Sequence, residues 1–166
     1  MNIEQKIDNC IKAFTELKES LYKDEYSYIE PMADELVKLI ESPNIPNSDL
    51  RDIISDNIIR INLGRGKGNT TLMCMLLNRF KYNDDWKVVP VVRNRHSVSY
   101  VFDRYHHRVN TSEQNIVDMK GYRHKGNVLV LVDSIPEEEL QRLIRSVGMH
   151  LSPDANLKIV VLGDCL

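Results

Sequence analysis

The sequence predicts an α/β protein whose core is a three-layer domain with a mainly parallel sheet, preceded by a helical subdomain. Two short segments, 127–133 and 157–162, are apolar almost throughout, as expected for strands that are buried on both faces of a sheet. From residue 57 onward, helical segments alternate with strand segments, which is typical of parallel sheets. We therefore assign residues 1–56 to the N-terminal helical subdomain and residues 57–166 to the α/β core.

The helical subdomain begins with an amphipathic helix predicted over residues 2–22, where six apolar residues recur in alternating steps of four and three. Three heptads are the shortest stretch that indicates a coiled coil. Two interpretations of residues 2–22 therefore remain. The helix packs on its own domain, or it binds a protein partner or, in a homo-oligomer, a second copy of the chain. A second helix is predicted over 29–41, then a loop with two prolines and a short helix capped by Ser48.

The core is predicted to contain four strands and three helices. In chain order they are strand 57–63, helix 70–80, strand 87–92, helix 97–109, strand 127–133, helix 136–147 and strand 157–162. Pro90 places the second strand at an edge or at a bulge, because proline lacks the N–H that a central strand would donate. The polar segment 110–126 carries no clear pattern.

Composition excludes several classes of protein. Apolar residues make up 42% and charged residues 28% of the chain, which is normal for a globular protein. No segment approaches the ~20 consecutive apolar residues of a membrane span, and the first residues lack the basic and apolar regions of a secretory signal. The three cysteines show no C-x-x-C spacing, so we expect reduced thiols without disulfides or zinc. These features predict a cytoplasmic protein with no membrane partner.

Charge is distributed unevenly along the chain. Residues 1–56 hold 6 basic and 13 acidic residues, whereas residues 57–126 hold 13 basic and 5 acidic residues. A basic block favours a phosphate or nucleic-acid partner, although docking of the acidic N-terminal region on this block would explain the pattern equally well. Four arginines after the second strand are the candidates for contacts with a nucleic-acid backbone, namely Arg93, Arg95, Arg104 and Arg108.

Aromatic residues lie among these arginines. Tyr100 and Tyr105 are two of those that could stack on bases, since stacking on aromatic side chains is a common way to bind single strands. A solvated basic face with aromatic residues in the core is the alternative. Tyr28, in contrast, is interpreted as a packing or surface residue.

The segment that carries chemistry joins the first strand to its helix. Three glycines within five residues let the backbone turn tightly and present amide N–H groups to an anion, and the helix that follows adds its N-terminal dipole. We call residues 64–71 the glycine loop and predict that all of them bind a nucleotide: Gly64, Arg65, Gly66, Lys67, Gly68, Asn69, Thr70 and Thr71. Arg65 and Lys67 supply positive charge, and the Thr70 hydroxyl is placed to reach Mg²⁺.

The glycine loop departs from the phosphate-binding pattern G-x-x-x-x-G-K-[ST] at one position. When Gly68 and Thr70 are aligned with that pattern, Asn69 occupies the place of the phosphate-binding lysine. The alternative interpretation is a glycine turn that only joins a strand to a helix.

The stretch from Ile61 to Thr71, with the helix and strand after it, resembles the ATPase core of bacteriophage large terminase subunits, the motors that package viral DNA. Arg65 matches an arginine early in that family's loop, and Gly68 with the two threonines after it matches the end of the loop. The resemblance implies a P-loop-type fold, with ATP and Mg²⁺ as cofactors.

The resemblance also implies roles for residues further along the chain. Asp133, at the end of strand 127–133, corresponds to the Walker B aspartate and is the candidate catalytic residue, and Thr70 and Asp133 are the candidate metal ligands. Ser134 stands where the family has its catalytic glutamate, and the resemblance does not extend to the motor's coupling and nuclease regions. The resemblance therefore predicts a degenerate ATPase with weak or no hydrolysis.

Two functions follow as expectations. The first is a phage-type P-loop protein, in the host cytoplasm if it is viral, that binds nucleotide phosphate or a nucleic-acid backbone at the glycine loop. The second is a non-enzymatic regulator or interaction protein that keeps the fold as a scaffold and binds a protein partner through its N-terminal helices.

Overall fold

The computed structural model describes residues 27–42, 57–112, 114, 125–152 and 155–163. The helix predicted over 2–22, most of the proline loop and the helix capped by Ser48 lie outside these residues. The described elements, in chain order, are α1 (Ile29–Glu41), β1 (Ile58–Ile61), α2 (Asn69–Phe80), β2 (Trp86–Val92), α3 (Arg95–Tyr105), β3 (Asn110–Thr111), β4 (Asn127–Asp133), α4 (Glu137–Met149) and β5 (Asn156–Leu162).

All five strands run parallel in one sheet, in the order β1-β5-β4-β2-β3. β4 and β5 form its centre and pair along seven residues, from Asn127 with Asn156 to Asp133 with Leu162. Their central position explains why both segments are apolar, since strands covered on both faces have no polar side. The predicted α/β class with a parallel sheet is confirmed.

Apolar side chains cover both faces of the sheet. Along β4, Val128, Val130 and Val132 contribute to one buried cluster, whereas Leu129 and Leu131 contribute to another. This alternation follows from the pleat, which directs successive side chains to opposite faces. The apolar stripe of α4 packs in the first cluster, and the buried sides of α1 and α2 pack in the second. The fold therefore has three layers.

Helix α1 packs on α2. Its fully or almost fully buried residues, Ile29, Ala33, Leu36 and Ile40, belong to the same apolar cluster as the buried side of α2. At the rim of this contact Arg79 donates to the Asp34 carboxylate at 2.9 Å. Exposed ion pairs add little stability, so apolar burial holds α1 on the core. The boundary at residue 56 stays a prediction, because residues 43–56 are not described.

The predicted elements differ from the observed ones mainly at their ends. The helix predicted over 97–109 begins at Arg95, where the Asn94 side chain accepts from the Ser97 N–H at 2.9 Å, and ends at Tyr105. It stops there because His106 takes a left-handed conformation, with φ of 57°. The two-residue strand β3 is too short to produce a sequence signal.

Pro90 lies at the edge position that its lack of an N–H predicts. β3 pairs only with Val91 and Val92, so within the described chain the segment 86–90 of β2 has a strand neighbour on one side only. None of the helices in the described ranges has the length and hydropathy required to cross a membrane.

Candidate functional site

The glycine loop lies at the carboxyl edge of the sheet, between the end of β1 and the start of α2. β4 ends at Asp133 on the same edge, and β5 lies between the two strands. The end of β5 is bonded to both neighbours, since Gly163 N donates to Ile61 O at 2.8 Å and Ser134 N donates to Leu162 O at 2.9 Å. In open parallel sheets, ligands bind outside the carboxyl ends of the strands.

The backbone of the loop requires its three glycines. Gly64, Gly66 and Gly68 have φ angles of 86°, 72° and 95°, in the left-handed region that other residues rarely adopt. A turn closes where Lys67 N donates to Gly64 O at 3.3 Å, and α2 begins where Leu72 N donates to Gly68 O at 2.8 Å. The loop therefore reaches the helix through alternating left-handed residues, a geometry that exposes backbone N–H groups.

Asn69 ties the two ends of the loop together. Its side-chain oxygen accepts from Leu63 N, and its side-chain nitrogen donates to Gly64 O, both at 3.2 Å. The residue that stands in place of a lysine is thus neutral, and it links the start of the loop to the start of α2. It brings no positive charge to a ligand.

Tyr28 makes a second contact with the loop. Its hydroxyl donates to Lys67 O at 2.6 Å, across 39 residues of sequence. The interpretation of Tyr28 as a packing or surface residue omitted this role, and no local pattern in the sequence signals a contact between such distant residues. The position of α1 and the shape of the loop are therefore linked.

Thr70 and Asp133 meet at the floor of the site. The Thr70 hydroxyl donates to Asp133 Oδ2 at 2.6 Å, and the Ser134 hydroxyl donates to Asp133 Oδ1 at 2.9 Å. Asp133 is only 8% exposed. Burial raises the pKa of its carboxyl group, and the two hydroxyl hydrogen bonds oppose this rise.

The segment after Asp133 is strained and tightly packed. Ser134 has a φ of 53°, which is uncommon for a residue with a side chain. A Cβ atom at Gly163 would lie 2.5 Å from Ser134 Oγ and 3.2 Å from Asn69 Nδ2, so this position admits no side chain without movement. Strain of this kind is concentrated at functional sites.

A pocket of about 270 Å³ opens over these groups. Six of the eight residues of the glycine loop line the pocket, and Gly64 and Lys67 do not. Asp133 and Ser134 also line it. Its other wall comes from helix α3 through Tyr100, Arg104 and Tyr105. Residues from the loop, from the end of β4 and from α3 are thus brought to one cavity.

The wall from α3 is internally connected. The guanidinium carbon of Arg104 lies 5.8 Å from the ring centroids of both Tyr100 and Tyr105, within cation–π range. The Tyr105 hydroxyl and Thr71 Oγ1 are 3.0 Å apart, which joins α3 to the first turn of α2. Burial raises the pKa of Tyr105, so this hydroxyl stays protonated at neutral pH.

The four arginines predicted to contact nucleic acid are not gathered in one place. Only Arg104 lines the pocket at the glycine loop. Arg93 is exposed just before α3, and Arg95 is exposed at its first position. Arg108 lines a separate cavity of about 460 Å³ beside β2. Their contacts with nucleic acid stay a prediction.

The glutamates near Asp133 have other partners. Glu137 forms a bidentate ion pair with Arg60, in which both N–O distances are 3.1 Å. Glu139 accepts a hydrogen bond from the Ser112 hydroxyl at 2.7 Å. Among the described residues, Asp133 is the only carboxylate in the lining of the pocket. The described lining therefore holds no second acidic group that could orient a water molecule.

The oxygen atoms of Thr70 and Asp133 fit Mg²⁺, which prefers hard oxygen ligands and is usually bound by one or two carboxylates together with substrate phosphates. In the part of the chain that the structure describes, no group of three or more His, Cys, Asp or Glu side chains is placed to hold a metal by itself. The oxygen atoms of Thr70 and Asp133 would therefore need further oxygen ligands, supplied by a bound molecule, to complete the coordination of Mg²⁺.

Cys74 lies in α2 near this carboxylate. Burial, with the negative charge of Asp133 as a second cause, raises the pKa of its thiol to about 12. The thiol is free and stays protonated at neutral pH. Cys10 and Cys165 lie outside the described residues.

Comparison with known proteins gives no match to this chain, either among protein-family models or among curated sequences.

Asp133→Asn is expected to stabilise the folded protein at neutral pH. Because the carboxyl pKa is raised above its ordinary value of 3.8, the folded state holds this proton more tightly than the unfolded state. Stability therefore falls as pH rises between the two pKa values and stays lower above them, whereas asparagine is neutral throughout. Urea unfolding at pH 4 and pH 7 should show a gain that is larger at pH 7 and exceeds the roughly 0.5 kcal/mol of surface substitutions.

Asp103→Asn, at an exposed position of α3, is the matched control and should leave stability almost unchanged. A less stable Asp133→Asn protein at pH 7 would show that the buried carboxylate stabilises the fold through its two hydroxyl contacts.

Proposed function

We propose that this protein binds the phosphate groups of a nucleotide at the glycine loop, with Mg²⁺ beside them at Thr70 and Asp133, and hydrolyses the nucleotide slowly or not at all. The observation that carries the proposal is the 2.6 Å hydrogen bond between Thr70 and Asp133, two residues 63 positions apart. It unites the start of α2 and the end of β4 at the floor of one pocket. A bound Mg²⁺ would neutralise charge on the phosphate oxygens.

The chemistry of the loop supports an anionic ligand. Backbone N–H groups of a glycine-rich loop and the N-terminus of the helix that follows it both attract negative charge. Arg65 adds a positive side chain to the lining of the pocket. The contacts from Asn69 and Tyr28 hold the loop in shape before a ligand arrives, which lowers the entropic cost of binding.

The pocket favours the phosphates of a nucleotide over a nucleic-acid backbone. Its floor carries a buried carboxylate, which disfavours an anion unless a cation accompanies it. The terminal phosphates of a nucleotide bring Mg²⁺ with them and can enter such a pocket end-on. The resemblance to terminase ATPase cores favours the same ligand and a P-loop-type fold.

Two features argue against efficient hydrolysis. Asn69 is neutral where a lysine would bind the phosphates, and it is occupied by contacts within the loop. Asp133 is the single carboxylate among the described lining residues, so these residues offer no second carboxylate to orient the attacking water. Binding therefore survives the loss of groups that catalysis requires.

Isothermal titration with Mg²⁺–ATP tests the proposed binding. We expect saturable binding by the wild-type chain and an affinity roughly 10- to 100-fold lower for Arg65→Ala, because a charge-assisted hydrogen bond contributes about 1.5–3 kcal/mol. Lys67→Ala should have a smaller effect, since Lys67 does not line the pocket. Competition with a duplex and a single-stranded oligonucleotide measures whether a nucleic-acid backbone occupies the same site.

Lys125→Ala is the matched control, because it removes one exposed charge just before β4, at the opposite edge of the sheet. Absence of binding by the wild-type chain would contradict the proposal. If oligonucleotides displace ATP at lower concentrations than ADP does, the site binds nucleic acid instead of a nucleotide.

Wild-type ATP turnover is expected near background, and Asn69→Lys combined with Ser134→Glu should raise it. The first change adds a charge for the phosphates, and the second adds a carboxylate beside Asp133 to orient water. Phosphate release is the measurement, with Asn69→Lys/Ser134→Met as a control of similar size that has no polar group to orient water. Robust Mg²⁺-dependent turnover by the wild-type chain would overturn this assignment.

A further inference from the structure

We propose that Arg104, on helix α3, provides the phosphate-binding charge that Asn69 does not bring to the pocket. This inference rests on the proposed function, and it names the part of the ligand that the pocket takes, which is the phosphate chain. The glycine loop and α3 would hold that chain between them, with positive side chains on both sides.

The position of Arg104 supports this role. It lines the same pocket as Thr70 and Asp133, although it lies 33 residues after the last residue of the loop. Arg104 and Arg65 are the two cationic side chains in the described lining, against the one carboxylate of Asp133. Without Arg104 the lining would carry no net positive charge for a polyphosphate.

The two tyrosine rings position the guanidinium group. Tyr100 and Arg104 are four residues apart on α3 and so lie on the same face of the helix. The rings of Tyr100 and Tyr105 are 6.2 Å apart at 70°, and the Arg104 guanidinium carbon lies 5.8 Å from each of them. Guanidinium groups pack well on aromatic faces and bind phosphate through a rigid fork of N–H donors.

A contact between α3 and α2 keeps this wall in register with the loop. The Tyr105 hydroxyl lies 3.0 Å from Thr71 Oγ1. Thr71 directly follows Thr70, whose hydroxyl donates to Asp133. The spacing between Arg104 and the loop is therefore set by a side-chain contact at the site itself. Such positioning before binding limits the entropy that an ordered arginine would lose.

The size of the pocket indicates which part of a nucleotide it encloses. Cavities that enclose a whole drug-sized ligand are about 300–1,000 Å³, and this pocket measures about 270 Å³. Because this volume lies just below that range, we expect the pocket to enclose the phosphate chain and the nucleoside to extend outside it. Mg²⁺–tripolyphosphate is therefore a suitable probe, and it should bind with an affinity within about tenfold of Mg²⁺–ATP.

Calorimetric titration of the full chain with Mg²⁺–tripolyphosphate and with Mg²⁺–ATP tests the proposal. Arg104→Ala should bind both ligands roughly 10- to 100-fold more weakly, which corresponds to the loss of a charge-assisted contact. Arg104→Lys should recover part of this affinity, because it keeps the charge without the fork. Arg108→Ala is the matched control, since it removes an exposed arginine that lines a separate cavity.

A second pair of variants tests the positioning by the rings. Tyr100→Phe keeps the ring and should retain more affinity than Tyr100→Leu, which removes it. Tyr100 is 41% exposed, so neither change empties a buried site. Circular dichroism verifies the fold of each variant, and Arg104→Gln replaces Arg104→Ala if the alanine variant fails to fold.

The outcomes separate the two proposals. If the wild-type chain binds neither ligand, the proposed function fails. If the wild-type chain binds and Arg104→Ala matches Arg108→Ala, the role of Arg104 is overturned and the proposed function stands. ATP affinity more than tenfold above that of tripolyphosphate would show that the nucleoside is bound as well, which would overturn the assignment of the pocket to the phosphate chain.

Discussion

The hydrogen bond between Thr70 and Asp133 is the contact on which the candidate site depends. It joins the first turn of α2 to the end of β4, two strands away from β1 in the sheet. The distance between these groups is set by β5, whose end is bonded to both neighbouring strands. A shift of any of the three strands along its neighbours would separate the hydroxyl from the carboxylate, so the register of the parallel sheet determines the geometry of the pocket.

The same arrangement carries features that a purely structural junction would not need. A carboxylate is buried without a cation within salt-bridge range among the described residues, Ser134 adopts a left-handed conformation, and Gly163 lacks room for a side chain. The buried carboxylate and the left-handed Ser134 each cost stability in the absence of a ligand. Natural proteins tolerate such costs where activity or binding requires them, which is why we interpret this edge of the sheet as a binding site.

Much of the fold follows from patterns that the sequence displays locally. The apolar strands β4 and β5 and helix α1 could be predicted because burial on both faces and helical periodicity leave clear signals in consecutive residues. The glycine loop could be predicted as well, since a positive φ at three positions demands glycine. The contact of Tyr28 with the loop and the place of Arg104 in the pocket could not be predicted. Both depend on how α1 and α3 pack, and no alternation or spacing in the sequence encodes that packing.

An NMR titration of the ¹⁵N-labelled protein with Mg²⁺–ATP tests the central claim most directly, because it observes each backbone N–H group separately. The account predicts that the largest shifts occur at the amides of the glycine loop, Gly66, Gly68 and Thr70 above all, and at Asp133 and Ser134. The amides around Lys81 and Lys87, which line the separate cavity beside β2, should move little. Shifts confined to that second cavity, with an unchanged glycine loop at saturating ligand, would contradict the account.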